Sequence, residues 1–531
     1  MLFMKIGVFL GYGPQVKLGK EGLGRYIGGL IKGFKEQNHE ITIAYPFWLK
    51  ETVEELLETF SINKDNISFI LTDDNPPLWK IYKFFHRKNK ENKLFSFLMF
   101  KIKYLYNILL NKLASTNSNI IFVLLLILIL FFILIFFIPG IILFLILFLK
   151  FTNRILINKG YNIMNNAKIL KCFNFLHYYL YKYFDFNWQL HMFYSMHNQV
   201  LLNLIKKINN DVKHDVWFVP SIFWPQVTKI NGTVVINAPD LVSQEFAQSF
   251  ANIDTSDFFI NDCRETLLKG NYFITYCEYL KNNLVIGEYA KEENKVVAIK
   301  HANNDMLPYI KIDITVYKSL NTINDWNDIF AREILKAYIC PDVRYIFYAS
   351  QIRPNKNMLN LVKAYEILLR KKFITHKLYV TANLKKETEV SEYIKKHRLE
   401  DDIISLYNVS AQTLAALYHC ADLVVNPTLY EGGFPFTFGE GMSVGTPSIM
   451  SDIPQVREVL EPAGLEEIMF NPYDCYAIAD KIEWALSNLD DLYQKELALY
   501  KKMSQRTYSL VAEEYVNAFK KFIEYDKRKN L

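Results

Sequence analysis

Most of the chain alternates short, wholly apolar runs with amphipathic ones, and one long uncharged apolar stretch interrupts this pattern. Lys5 to Leu10 reads as a buried strand. A loop holding Gly11, Gly13, Gly19, Gly22 and Gly24 follows, then a helix from about Arg25 to Gln37 and a strand from Glu40 to Tyr45. That is one βαβ unit. The same pattern resumes with strands at Asp215 to Val219, Thr233 to Asn237, Tyr272 to Thr275 and Lys295 to Ile299. A second series begins with strand Tyr345 to Ala349, helix Met358 to Arg370, strand Lys377 to Thr381 and helix Ala411 to Cys420. It continues with strand Asp422 to Asn426, a helix entered at Thr437, strand Pro447 to Met450 and helix Cys475 to Ser487. Alternation of this kind predicts an α/β protein of two Rossmann-like, doubly wound domains. Ligands of such domains gather at the carboxyl ends of the strands, and two in tandem imply a cleft.

The interruption runs from Ile120 to Leu149, where every residue is apolar except Pro139 and Gly140. Thirty helical residues would extend about 45 Å, too long for one straight crossing of a hydrocarbon layer about 30 Å thick, while two crossings need roughly 40 residues. Lys101, Lys103 and Lys112 precede the run and Lys150, Arg154 and Lys159 follow it, so both ends favour the cytoplasmic side. A re-entrant hairpin over 120–157, broken at Pro139-Gly140, satisfies both constraints, with a kinked spanning helix as the alternative. Strands on either side of the run that share one sheet must also share one compartment, which favours the hairpin.

The charge distribution extends this picture. The net charge of the 531 residues is +6, but Lys80 to Lys182 holds fifteen Lys and Arg against the single acid Glu91, which leaves −8 for the rest. These cations are interleaved with Phe, Tyr, Leu and Ile, a pattern suited to anionic lipid headgroups rather than to nucleic acid. The six cysteines are scattered without a Cys-x-x-Cys pair, and the ten histidines form no His-Glu-x-x-His motif, so neither a disulfide framework nor a metal site is expected. The expected organisation is a first Rossmann-like domain over 1–75 and 213–310, a basic aromatic insertion over 76–212, a linker over 311–343, a second domain over 344–504 and a final helix over 505–531.

The stretch Leu429-Tyr-Glu431-Gly-Gly-Phe-Pro-Phe-Thr437-Phe-Gly-Glu440-Gly-Met-Ser-Val-Gly445-Thr-Pro447 is the richest in chemistry. Glu431 follows a strand, where it can accept hydrogen bonds from sugar hydroxyls. The amides of Gly432, Gly433 and Phe434 can approach a ligand closely because glycine puts no side chain in the way. Glu440, expected in the first turn of the helix entered at Thr437, can hold two ribose hydroxyls while the helix end faces a phosphate. Thr437-x-x-Glu440 is also the pattern of a capping box.

These residues resemble the retaining GT-B glycosyltransferases of the large fourth family, in which a strand, a Glu, a Gly/Phe/Pro loop and a second Glu open a helix ending in Gly-Thr-Pro. The family usually has seven residues between the two acids, and this chain has eight, Gly432 through Gly439. Leu414 to Pro427, Asp452-Ile-Pro454 and Glu458 share the likeness, which covers most of 1–50 and 213–300 and nearly all of 345–490. The resemblance implies that Arg353 and Lys356 hold the donor diphosphate, with Gln351 standing where the family carries Arg. It places Gly22 and Gly24 beneath the donor phosphate and Asp240 near the acceptor, with Pro239 in the place of the usual His. Cys277-Glu278 looks like the family's Ser-Glu element, or caps a helix.

The expected activity is therefore retaining transfer of a hexose from a nucleoside diphosphate sugar to a lipid-linked or glycan acceptor at the cytoplasmic membrane face. Glu431, Arg353 and Lys356 are the catalytic candidates. No resident metal or cofactor is expected. The alternatives are a non-catalytic membrane scaffold of the same fold and a sugar-nucleotide epimerase.

Overall fold

The computed structural model describes residues 3–14, 16, 18, 22–65, 67–72, 76, 109, 112–113, 115–116, 118–129, 188–246, 256–310, 323–340, 342–384 and 388–529. The first domain is built from β1 (Lys5–Phe9), α1 (Gly22–Glu36), β2 (Glu40–Tyr45), α2 (Lys50–Thr59), β3 (Ile67–Leu71), α3 (Trp188–Asn210), β4 (Val216–Val219), β5 (Val234–Ala238), α4 (Ser256–Lys269), β6 (Tyr272–Thr275) and β7 (Val296–Ala298). Its strands form one parallel sheet in the order β3-β2-β1-β4-β5-β6-β7. The order reverses between β1 and β4, so the crevice of this doubly wound sheet opens above those two strands.

The second domain holds α5 (Ile323–Leu335), β8 (Tyr345–Tyr348), α6 (Met358–Lys371), β9 (Lys377–Val380), α7 (Glu389–Lys396), β10 (Ile403–Ser405), α8 (Ala411–His419), β11 (Leu423–Asn426), α9 (Phe436–Ser443), β12 (Ser448–Ser451), α10 (Pro454–Leu460), β13 (Met469–Phe470), α11 (Cys475–Leu486) and α12 (Leu489–Ser504). The parallel sheet runs β10-β9-β8-β11-β12-β13, with its switch point between β8 and β11. The central strands β4, β8 and β11 are buried along their whole length, the consequence of apolar runs covered by helices on both faces. Part of the stretch expected as a linker is α5, whose Ala331 and Leu335 pack with Tyr345, Ala415, Ala416 and Tyr418 of the second domain.

The last helix, α13 (Tyr508–Lys529), returns to the first domain, where Tyr515, Phe519 and Phe522 join the core and the Tyr26 hydroxyl donates to that of Tyr515 at 2.7 Å. Gly29 and Gly33 of α1 permit this approach. A Cβ on Gly29 would stand 2.4 Å from the Tyr508 ring, and one on Gly33 would stand 2.6 Å from the Tyr508 carbonyl oxygen.

Of the expected hairpin over 120–157, residues 130–157 lie outside the described residues. Residues 119–129 are helical. Phe122 and Ile129 pack with Met192 and Met196 of α3, whereas Ile120, Ile121, Val123, Leu124, Ile127 and Leu128 are exposed. Among the described residues no helix is long and apolar enough to cross a membrane.

Candidate active site

The carboxyl ends of β8 and β11 deliver the two halves of the site. After β8 the chain makes a short turn, Pro354–Lys356, and enters α6 through Asn357, which adopts a left-handed conformation at φ 53°. Asparagine is among the few non-glycine residues that adopt this conformation readily. Here the buried Asn357 amide donates to the carbonyls of Pro427 and Pro472, and the Asn355 amide donates to that of Tyr430. The two asparagines bind the turn after β8 to the loop after β11. The Lys356 ammonium consequently lies 2.5 Å from Glu431 Oε1, with both side chains largely covered. Arg353 is exposed beside the pair and donates to Gln351 Oε1 at 3.3 Å, so the displaced arginine and the glutamine are neighbours.

The first domain faces this pair. Burial is the largest influence on Asp240 and pushes its carboxyl above the usual range; the Glu431 charge adds to the rise, while Arg353 and Lys356 oppose it. All four charges therefore occupy one electrostatic neighbourhood spanning the cleft. Gly432 is the point of closest approach, because a Cβ there would lie 1.7 Å from the Pro239 carbonyl oxygen. At Gly433 a Cβ would meet Tyr276 at 2.9 Å. Absent side chains at 432 and 433 thus let the domains close, and Cys277 Sγ donates to the Gly432 carbonyl. Glu458 of α10 reaches across to accept from the backbone amides of Glu278 and Tyr279, which open a π-helix (Leu280–Glu288). The carboxylate capping that element comes from the other domain.

The helix carrying Glu440 departs from expectation. α9 starts at Phe436 after an extended Pro435 with no side-chain cap, so Glu440 is its fifth residue rather than part of the first turn, and no capping box forms. The Thr437 hydroxyl instead accepts from Asn426 at the end of β11, at 2.8 Å. Glu440 is 5% exposed. It accepts from the Tyr418 hydroxyl at 2.6 Å and from the Asn304 amide, and Arg25 in the first turn of α1 stands 3.8 Å away. Gly22 opens α1, and at Gly24 a Cβ would overlap the Leu18 carbonyl oxygen at 1.8 Å.

Several contributors escaped the sequence reading. His301 Nε2 lies 2.7 Å from the Phe434 carbonyl, and its ring packs 4.0 Å from that of Phe436. Burial holds this imidazole below its usual pKa, and its two ring nitrogens face the carbonyls of Ala302 and Phe434. Asn303 and Asn304 belong to the same crossing segment, which has no periodicity to mark it. Phe434 itself is buried against Phe438 rather than open to the cleft. Among the described residues no group of three His, Cys, Asp or Glu side chains converges as a metal site requires.

Two doubly wound domains facing one another across a cleft, the second carrying a Lys–Glu pair at its switch point, have the two-domain GT-B architecture. Residues 334–508, the second domain nearly in full, match the family model described as glycosyl transferases group 1. Over 174 residues the chain is 29% identical to the O-antigen chain mannosyltransferase B of Escherichia coli, covering 32% of this chain and 44% of that one. Over 164 residues it is 29% identical to the serotype-specific mannosyltransferase WbdA of the same organism, covering 30% of this chain and 19% of that one. The chain thus spans less than half the length of these relatives. Among solved structures, Anabaena HepE in complex with UDP and glucose is similar at a TM-score of 0.55 and 10% identity, covering 97% of this chain and 99% of that one. A glycosyltransferase from Rickettsia africae is similar at 0.52 and 14% identity, covering 98% and 99%. These structural likenesses concern the fold.

Proposed function

We propose that the protein is a retaining glycosyltransferase that moves a hexose from a nucleoside diphosphate sugar to a lipid-linked or glycan acceptor at the cytoplasmic membrane face. The observation that carries this reading is the Lys356–Glu431 ion pair at the switch point of the second domain, with Arg353 beside it and Asp240 of the first domain, next to Gly432, in the same electrostatic neighbourhood. Arg353 and Lys356 bind the diphosphate and neutralise the charge that grows as the bond from the anomeric carbon to the phosphate oxygen breaks. Glu431 holds the sugar hydroxyls and, through its ion pair, the position of Lys356. The acceptor oxygen bonds to the anomeric carbon, and its proton passes to the departing diphosphate. Asp240 orients the acceptor, and Glu440 holds the ribose. With two cations at the leaving group, no resident metal is needed, so turnover persists in EDTA.

The exposed apolar side of helix 119–129, together with the basic residues flanking the apolar run, supports attachment to anionic lipid. The relatives' names make mannose the first sugar to test. Incubation with GDP-mannose and UDP-glucose, with and without membrane lipid extract, tests the reading by nucleotide release and by the anomeric configuration of the product. Absence of release with every donor and extract would favour a scaffold, and release of a rearranged sugar without transfer would favour an epimerase.

A further inference from the structure

A second cluster lies on the first domain, beside the acceptor side of the cleft, and the chemistry above does not use it. Three segments meet there: the amino-terminal half of α3, the turn Phe223 to Gln226 after β4, and α4. The Tyr194 hydroxyl donates to Asp262 Oδ1 at 2.5 Å and is also bonded to Asn198, whose Oδ1 accepts from the Gln226 amide at 3.0 Å. Phe223 and Phe259 pack with ring centroids 4.6 Å apart, yet Phe259 remains 39% exposed. The cluster connects directly to the cleft. Cys263, next to Asp262, feels the charge of Asp240, while His197 and Phe193 on the adjoining turn of α3 reach Gly11 and Gly13 at the end of β1.

An exposed phenyl ring bordered by a carboxylate, a phenol and two amides fits the two-sided surface of a pyranose, which has an apolar C–H face and a rim of hydroxyls. Burial pushes the Asp262 carboxyl up to about 6, so it is ionised and an acceptor at neutral pH.

We infer that Tyr194, Asn198, Phe223, Gln226, Phe259 and Asp262 form a subsite for a neutral sugar residue of the acceptor glycan, one unit away from the hydroxyl that is glycosylated. The inference rests on the transferase reading and adds the part of the acceptor that the first domain recognises. Phe259 stacks on the C–H face, and Asp262 and the amides take the hydroxyls.

Saturation-transfer NMR of the full chain with GDP present, using methyl α-mannoside and a mannotriose as probes, tests it. The wild type is expected to bind the trisaccharide more tightly than the monosaccharide. Phe259→Ala and Asp262→Asn are expected to weaken trisaccharide binding at least fivefold, and Tyr194→Phe to weaken it less. An unchanged GDP titration verifies that each variant is folded. A wild type that binds neither probe, or variants that bind the trisaccharide as well as the wild type, would overturn the subsite. If the variants lose saccharide while the wild type turns over no nucleotide sugar, the subsite stands and the transferase reading falls.

Discussion

Lys356 and Glu431 form an ion pair at 2.5 Å although 75 positions separate them in sequence. The asparagines on both sides of Lys356 hold the two loops together. Because Lys356 is proposed to meet charge that develops as the donor bond breaks, Lys356→Ala is expected to lower kcat by roughly 10² to 10³, with a smaller effect on donor KM. Steady-state kinetics with the active donor checks this, and an unchanged kcat in a folded variant removes the assignment.

Glu440 offers a separate test of donor binding. Glu440→Ala is expected to weaken nucleotide binding about tenfold, or about 1.4 kcal/mol. It also strips a buried acceptor from the Tyr418 hydroxyl, with a further loss of about 1 to 3 kcal/mol in stability. Tyr418→Phe removes the donor instead of the carboxylate. Nucleotide titration beside thermal melts separates the two effects.

Glu458 links the domains through two backbone amides of the first. Glu458→Ala should shift the molecule toward a more open arrangement, seen as a larger radius of gyration by small-angle scattering in the absence of ligand. Each charge-assisted bond is worth about 1.5 to 3 kcal/mol in the closed state. Identical scattering curves for variant and wild type would show that the contact does not hold the cleft.

The return of α13 to the first domain depends on small residues in α1. Gly33→Ala would drive a methyl against the Tyr508 carbonyl and Ala512, and is expected to cost about 1 to 3 kcal/mol. Chemical denaturation measures it, and a variant as stable as wild type would mean that the helices part easily.

His197 supplies a pH signature. Burial, its largest influence, lowers the imidazole to about 4 against the usual 6.5, and the neutral ring lies 2.7 Å from the Gly11 carbonyl. Below pH 6.5 the unfolded chain takes up a proton that the folded chain refuses. The stability from this group is therefore complete above about 6.5 and is lost as pH falls toward 4. The melting temperature should drop between pH 7 and 5, and drop less in His197→Asn; equal slopes would contradict this origin.

The central strands were legible because a parallel sheet covered on both faces requires uninterrupted apolar runs, and such runs stand out in any register. Strand β3 was missed because it lies at the sheet edge with Ser68 and Phe69 exposed, and α2 because three buried residues, Val53, Leu56 and Leu57, sit among charges. The acids of the site were legible because Glu431 and Glu440 flank a glycine-containing loop between a strand and a helix, a motif with a family resemblance. The helix start was misjudged by one residue, since the Thr437 hydroxyl serves the strand end and Pro435 takes the boundary.

The order of apolar and polar residues alone determined the two α/β series and the location of the charge-free stretch, because each is a matter of local composition and spacing, while the candidate acids and bases came from the motif around Glu431 and Glu440 together with its family resemblance. Only the tertiary structure decided that Gly432 meets Pro239, that Glu458 serves the first domain, and that His301, Asn304 and the Tyr194–Asp262 cluster border the cleft. Those relations join residues tens to hundreds of positions apart, and their energies depend on distance and burial, which take values only after two sheets have packed and faced one another.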